Sequence, residues 1–350
     1  MDLTLLPIVL LSTPDSASIS PLHTFAALHG RPKYLSFLLL CLGMQTPLSP
    51  SALCNAEYPA CAAMTTGYIF RVENQAVVML LQRIGRTGHL VTLKVEPESS
   101  PSTTGTGAGS KSARGVLGLG SALEILTFLP PLFLLHWLVL HPSDVYLLLS
   151  TLLLLTSRLL FILSLRVRTQ PSWHGVFEPG AKGDLLVLMS EDRWIRMQGL
   201  VDDLKAVTSG SWLVRSRNHF LVDGAEWVSR FLVYIATIAL VNARDEGKIL
   251  LTLCVTINHV LLLMHNSRVE EMSMNGRRIR VQEGGVKKYK RRLDMAEELV
   301  EEVGRSDFAV RLGLVNPNNN SSASAEAKES GIKRQGKEKG NDPDNEVVTM

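Results

Sequence analysis

The chain has 350 residues, of which 46% are hydrophobic, 20% charged and 6% aromatic, and its mean hydropathy is +0.14. A soluble domain of this size carries about 25% charged residues and a negative mean hydropathy, so the composition excludes one ordinary soluble globule. A net charge of +3 is too small to argue for nucleic acid. Four cysteines (Cys41, Cys54, Cys61, Cys254) with no C-x-x-C pair suggest neither a disulfide scaffold nor a metal site, and no cofactor motif is present.

Residues 1–67 read as a poorly ordered N-terminal region. MDLTLLPIVLL is apolar but holds Asp2 and lacks a basic start, and Arg31-Pro32-Lys33 before YLSFLLLCLGM has a signal-like shape placed thirty residues too late. Residues 68–115 combine a short helix or strand pair over 68–95 with a Ser/Thr/Gly-rich linker over 97–115. GTGAGSKS in that linker is no phosphate loop, because Ser110 stands where the spacing requires glycine before Lys111.

Residues 116–165 carry only Glu124, Asp144 and Arg158 as formal charges and read as a transmembrane hairpin, 116–140 and 145–165, turned at His141-Pro142-Ser143-Asp144. Pro130-Pro131 predicts a kink in the first span. A second hairpin, 227–265, contains segments 227–243 and 249–265, near the lower length for spanning, with a re-entrant hairpin as the alternative. Eleven basic residues flank one side (Lys111, Arg114, Arg166, Arg168, Lys182, Arg215, Arg217, Arg268, Arg277, Arg278, Arg280), against Arg244 and Lys248 on the other. The positive-inside rule then puts both termini and the 166–226 loop in the cytosol.

Glu124, Arg158, Arg230, Asn258 and His259 form a polar layer inside these spans. Ionisable groups in lipid are costly and usually paired, so a Glu124–Arg158 pair is expected, with Arg158 and Arg230 within snorkelling distance of the cytosolic surface. The layer reads either as a substrate or proton site or as glue between helices.

In the 166–226 loop, an amphipathic helix is expected over 190–208. Ser190 would cap it, Glu191 and Asp192 suit its positive end, and Trp194, Met197, Val201 and Leu204 fall three and four apart. Asp192 and Arg196 would be an i,i+4 pair. The stripe would meet a partner, a second copy, or the ends of the chain's own spans. The segment SEDRWIRMQGLVDDLKAVTSGSWL, with its flanking hydrophobic hairpins, resembles part of multi-pass membrane proteins of filamentous fungi that have no assigned activity, over about residues 115–270. That resemblance implies a fold family and no chemistry.

Residues 266–311 hold a polybasic juxtamembrane segment and a helix. Arg277, Arg278, Arg280, Lys287, Lys288, Lys290, Arg291 and Arg292 suit an anionic leaflet, or act as topology determinants alone. Tyr289, Leu293, Ala296, Val300 and Val303 have a coiled-coil rhythm, so 286–304 is a second candidate for self-association or partner binding. Residues 312–350 read as a disordered tail carrying sequons at Asn319 and Asn320.

The expected fold is an all-α membrane protein with about four transmembrane helices in two hairpins, amphipathic cytosolic helices and disordered termini. His136 and His141 with Asp144 match no catalytic spacing, and no motif for hydrolysis or metal chemistry is present. The function expected is therefore a membrane-embedded organising or interaction protein that contacts the bilayer and no nucleic acid. The alternative is an oligomeric transporter or channel, or a lipid-modifying enzyme, built on Glu124, Arg158 and His259.

Overall fold

A computed structural model describes residues 3–12, 19–98, 122–171, 175–214 and 219–316. Most of the 97–115 linker, the first residues of span one and the tail with its sequons lie outside them.

Four helices are long and apolar enough to cross a membrane: Ala122–Leu140, Val145–Arg168, His219–Val241 and Asp245–Arg268. The first breaks at Thr127-Phe128, ahead of Pro130-Pro131, so its regular part is Leu129–Leu140. A proline lacks the amide that would continue the ladder and crowds the preceding turn. The third and fourth helices have 23 and 24 residues, so the segments expected at the spanning limit sit in helices of full length.

We call these helices α4 (Leu129–Leu140), α5 (Val145–Arg168), α7 (His219–Val241) and α8 (Asp245–Arg268). α5 packs on α7 through small residues. Ser150, Ser157 and Ser164 recur every seven residues on α5, Ser229 and Ala236 do so on α7, and all are buried. Ser150 donates to the Ala236 carbonyl at 2.9 Å and Ser157 to that of Ser229 at 2.7 Å. Small side chains let two helix backbones approach where lipid offers no hydrophobic drive to associate. At the far end Asp144 caps α5 at the Leu147 amide (3.1 Å) and accepts from the Arg244 amide (3.0 Å), joining the two hairpin turns. Gly247 permits this contact: a Cβ there would lie 2.8 Å from an Asp144 oxygen.

The all-α expectation is overturned by a seven-stranded mixed sheet. Its strands are β1 (Ala60–Ala63), β2 (Ile69–Arg71), β3 (His89–Pro97), β4 (Lys182–Met189), β5 (Arg193–Leu200), β6 (Met272–Met274) and β7 (Arg277–Lys288), in the order β2-β1-β4-β5-β3-β7-β6. Only β3 and β5 pair in parallel. Both faces are covered around β4, which reads as an apolar run from Leu185 to Met189, whereas β7 is largely exposed and charged. Leu185, Val187, Ile195, Met197, Val91 and Leu93 face one core, while Leu186, Trp194 and Leu90 face the other.

The helix expected over 190–208 is in fact most of a β-hairpin followed by a short helix, α6 (Val201–Thr208). Glu191 and Asp192 have φ of 62° and 52°, a left-handed turn that reverses the chain where a helix start was read. Trp194 and Met197 thus lie on opposite faces of the sheet, and Asp192 pairs with Arg292 instead of Arg196. Of the coiled-coil stripe, Ala296 is buried and Tyr289, Val300 and Val303 pack against the same core, while Leu293 is exposed. In α9 (Arg292–Val303), Met295, Ala296 and Leu299 cover the second face of the sheet, helped by Phe308 of α10 (Asp307–Arg311).

The N-terminal region is also folded where it is described. α1 (Pro21–Leu28), a 3-10 turn at Leu6–Leu11 and another at Tyr34–Leu38 insert beside the four helices. Leu10, Leu22, Phe25, Leu39 and Cys41 share one core with Leu154, Val233 and Leu262. These segments are too apolar for water and too broken by Pro and Gly to span, so burial against helices is the solution left to them. α2 (Pro50–Leu53) and α3 (Gln75–Ile84) then lead into the sheet's first core.

The sheet draws β1–β3 from before the first hairpin, β4–β5 from between the hairpins and β6–β7 from after the second. These three segments therefore meet at one end of the bundle. Phe161, Ile162 and Leu165 at the end of α5 pack into the core of the sheet.

Candidate functional site

The polar residues expected within the spans occupy two levels. At the rim, Glu124 takes Lys33 Nζ at 3.1 Å and has His29 Nε2 at 3.7 Å. The ring of His29 stacks 6.2 Å from that of His265, and the Arg166 guanidinium lies 3.8 Å over the Tyr34 ring while donating to the Pro32 carbonyl. The expected Glu124–Arg158 pair does not form. The inserted N-terminal segment supplies the partners of Glu124 instead.

The inner level is centred on Arg158. It lies ten residues from the end of α5, roughly 15 Å along the axis, and is only 5% exposed, so it does not snorkel. Its guanidinium carbon sits 5.2 Å from the Phe161 ring centroid, and that ring stacks 5.4 Å from His23. His23 and Cys41 are within electrostatic reach of Arg158. Asn258 donates to the Leu40 carbonyl at 2.7 Å, satisfying irregular backbone inside the bundle. Arg158 Nε, Asn258 Oδ1 and His259 Nδ1 are buried without a hydrogen-bond partner among the described residues. Arg230 is separate from this group. α7 starts earlier than expected, Glu226 pairs with Arg168 at 2.6 Å, and Arg230 lies one turn beyond that pair, with Nε directed back to the Glu226 carbonyl.

The sequence did not reveal His23, His29, Lys33 or Cys41. YLSFLLLCLGM signalled a need for burial, but nothing in its pattern names the helices that bury it. His141 stacks on Trp137 at 4.2 Å, and Asp144 serves as a cap, so the outer turn is structural. Among the described residues no three of His, Cys, Asp and Glu are grouped to hold a metal ion.

The basic run is built into β7 and the start of α9. Arg277 pairs with Asp203, Arg278 with Glu271 at 4.0 Å, Arg280 with Glu96 at 3.0 Å, Lys287 with Glu298 and Arg292 with Asp192. Lys288, Lys290 and Arg291 are exposed and form no ion pair among the described residues. On the sheet face shared with Arg278, Arg280 and Lys287, Arg196 grips Asp184 and reaches Glu302 of α9 at 2.7 Å. Burial works against its charge, but hydrogen bonds donated to both carboxylates outweigh this and raise its pKa.

A cleft of about 560 Å³ opens between α3, residues 53–57 and the β4–β5 turn. Its lips carry left-handed non-glycine residues, Asn55 on one side and Glu191 on the other. Glu57 inside it accepts from the Ser190 amide and Gln82, which hold its carboxyl below the ordinary range against the opposing effect of burial. The sequence carried no sign of this cleft, whose walls come from three distant segments. Compared with known proteins, the chain matches no family model, no curated sequence and no solved structure.

Proposed function

We propose that the chain is a multi-pass integral membrane protein that organises contacts at a membrane surface, with both termini and the 166–226 segment in the cytosol. The observation that carries this reading is the single sheet recruited from before, between and after the two hairpins. Such a sheet requires an even number of crossings between its parts, and it matches the side on which the basic residues gather. Lipid-facing side chains such as Leu152, Leu159, Phe231, Ile238, Leu253 and Val260 are exposed around the bundle, as an anchor in hydrocarbon needs.

The folded body is clamped to the helix ends. Trp212 Nε1 donates to the Gly30 carbonyl at 2.7 Å, the Val214 amide to Arg168 at 2.8 Å, and Asn266 to Pro21 at 2.8 Å. A body held this way presents its charged surface at a fixed height above the lipid. Within the basic run, Lys288, Lys290 and Arg291 form no ion pair among the described residues and are open to an anionic headgroup or an acidic partner.

Glycosylation reporters test the topology: a sequon placed at 141–144 acquires a glycan and one placed in 175–180 does not. A glycan at 175–180 overturns the orientation. For the contact reading, deletion of the basic run is unsuitable because it removes β7. Charge reversal at Lys288, Lys290 and Arg291 together should instead reduce co-purification of anionic lipid or acidic proteins in mild detergent. An unchanged set of bound species counts against the organising role.

A further inference from the structure

We infer that Arg158 anchors the head of an acidic amphiphile, a carboxylate or phosphate carried on a hydrocarbon chain, within the helical bundle. A guanidinium deep in a membrane protein needs a counter-charge, because burying an unpaired ion costs far more than burying a paired one. Among the described residues Arg158 has no carboxylate partner and its Nε has no acceptor. Glu124, the carboxylate in the same spans, is taken by Lys33 and His29. The face of Phe161 offers only its quadrupole, which offsets part of a full charge.

The buried polar atoms without partners on α5 and α8 differ in sense. Arg158 offers donors, while Asn258 Oδ1 and, in one tautomer, His259 Nδ1 offer acceptors. An acidic oxygen meets the need of the guanidinium. The surrounding core is hydrocarbon: Leu39, Leu40, Leu154 and Leu262 belong to it. This favours a ligand with an acyl chain over a free ion, since a small hydrated anion would lose its water and gain one cation in return. Arg166 and Lys33 at the rim would draw such a head toward the bundle from the side on which the sheet sits.

The test uses the full chain in a neutral detergent and reads thermal unfolding and native mass spectrometry with four probes: oleate, oleyl alcohol, dimyristoyl phosphatidic acid and inorganic phosphate. The acidic amphiphiles should raise Tm and remain bound, while the alcohol and inorganic phosphate should not. Arg158→Met should weaken oleate or phosphatidic acid binding at least tenfold while leaving the lipid-free protein folded, and Arg158→Lys should retain part of the binding. Equal shifts with oleate and its alcohol overturn the proposal, as does wild-type affinity in Arg158→Met. A shift with inorganic phosphate equal to that with phosphatidic acid overturns the amphiphile assignment. Should Arg158→Met fail to fold, Phe161→Leu supplies the second readout. Removing the ring while keeping the cation should strengthen the preference for acid over alcohol, and an unchanged preference argues that the cation is not the anchor.

Discussion

The bundle and the sheet solve the same problem, satisfying backbone polar groups away from water, by opposite means. Each helix of the bundle closes its hydrogen bonds within itself, so a spanning segment can be recognised from its own residues. The sheet joins its local hairpins into one body by bonds between segments far apart in the chain: Leu90 pairs with Trp194 on one side and Lys287 on the other. The bundle is thus defined by composition and the sheet by assembly. Mutations should separate the two.

The largest effect is expected where the sheet meets α9. Arg196→Ala leaves Asp184 without its bidentate partner and frees Glu302, which should cost about 3 kcal/mol, near the low end for a broken buried pair because Glu302 is half exposed. The sheet body should lose its cooperative unfolding transition in denaturant while helix content from the bundle persists. Loss of both together would show that the two regions are one unit.

The corresponding cut in the bundle is Ser157→Leu, which overfills the α5–α7 seam and removes the bond to Ser229; about 1–3 kcal/mol is expected. Heat-induced aggregation in detergent should shift while Trp194 fluorescence stays native. Asn258→Leu orphans the Leu40 carbonyl at about 1–2 kcal/mol and should make residues 34–45 sensitive to protease.

Acid should act on the sheet before the bundle. The hydrogen bond from Arg196 holds the Glu302 carboxyl below its ordinary range despite partial burial. A depressed carboxylate contributes its stability fully above its unfolded pKa of about 4.3 and loses it as pH falls through the lower folded value. Trp194, which shares a core with α9, should report this release below about pH 4, and Glu302→Gln should flatten the acid limb. The smallest expected change is a gain. Glu191→Gly relieves a left-handed residue at φ 62° and should stabilise the hairpin by about 0.5–1 kcal/mol in urea unfolding.

These contrasts explain what could be read from the residues alone. The long apolar helices were legible because hydrophobic length is a local property, and their ends were misplaced by several residues because a helix that enters a folded body need not stop where its apolar run stops. The hairpin at 190–193 was misread because Trp194, Met197, Val201 and Leu204 fit a helical period by coincidence, and Glu191-Asp192 can cap a helix or turn a strand. The polar layer was legible as a set of residues and not as a set of partners. Glu124 and Arg158 stand at similar places in their helices, but the chain places Lys33 and His29 beside the first and leaves the second to an aromatic face. No periodicity in the chain encodes that choice.

A sheet stitched from three segments also sets the order in which the molecule can be completed. The interior strand β3 is made early, yet one neighbour emerges after the first hairpin and the other only after the second. Until synthesis passes Lys288, the edge of β3 that β7 will occupy stays open. Non-local pairing of this kind is slow and leaves unfinished edges exposed. In the proposed topology, a hairpin inserted the wrong way round would strand a piece of the sheet across the bilayer and leave the last strand unable to close.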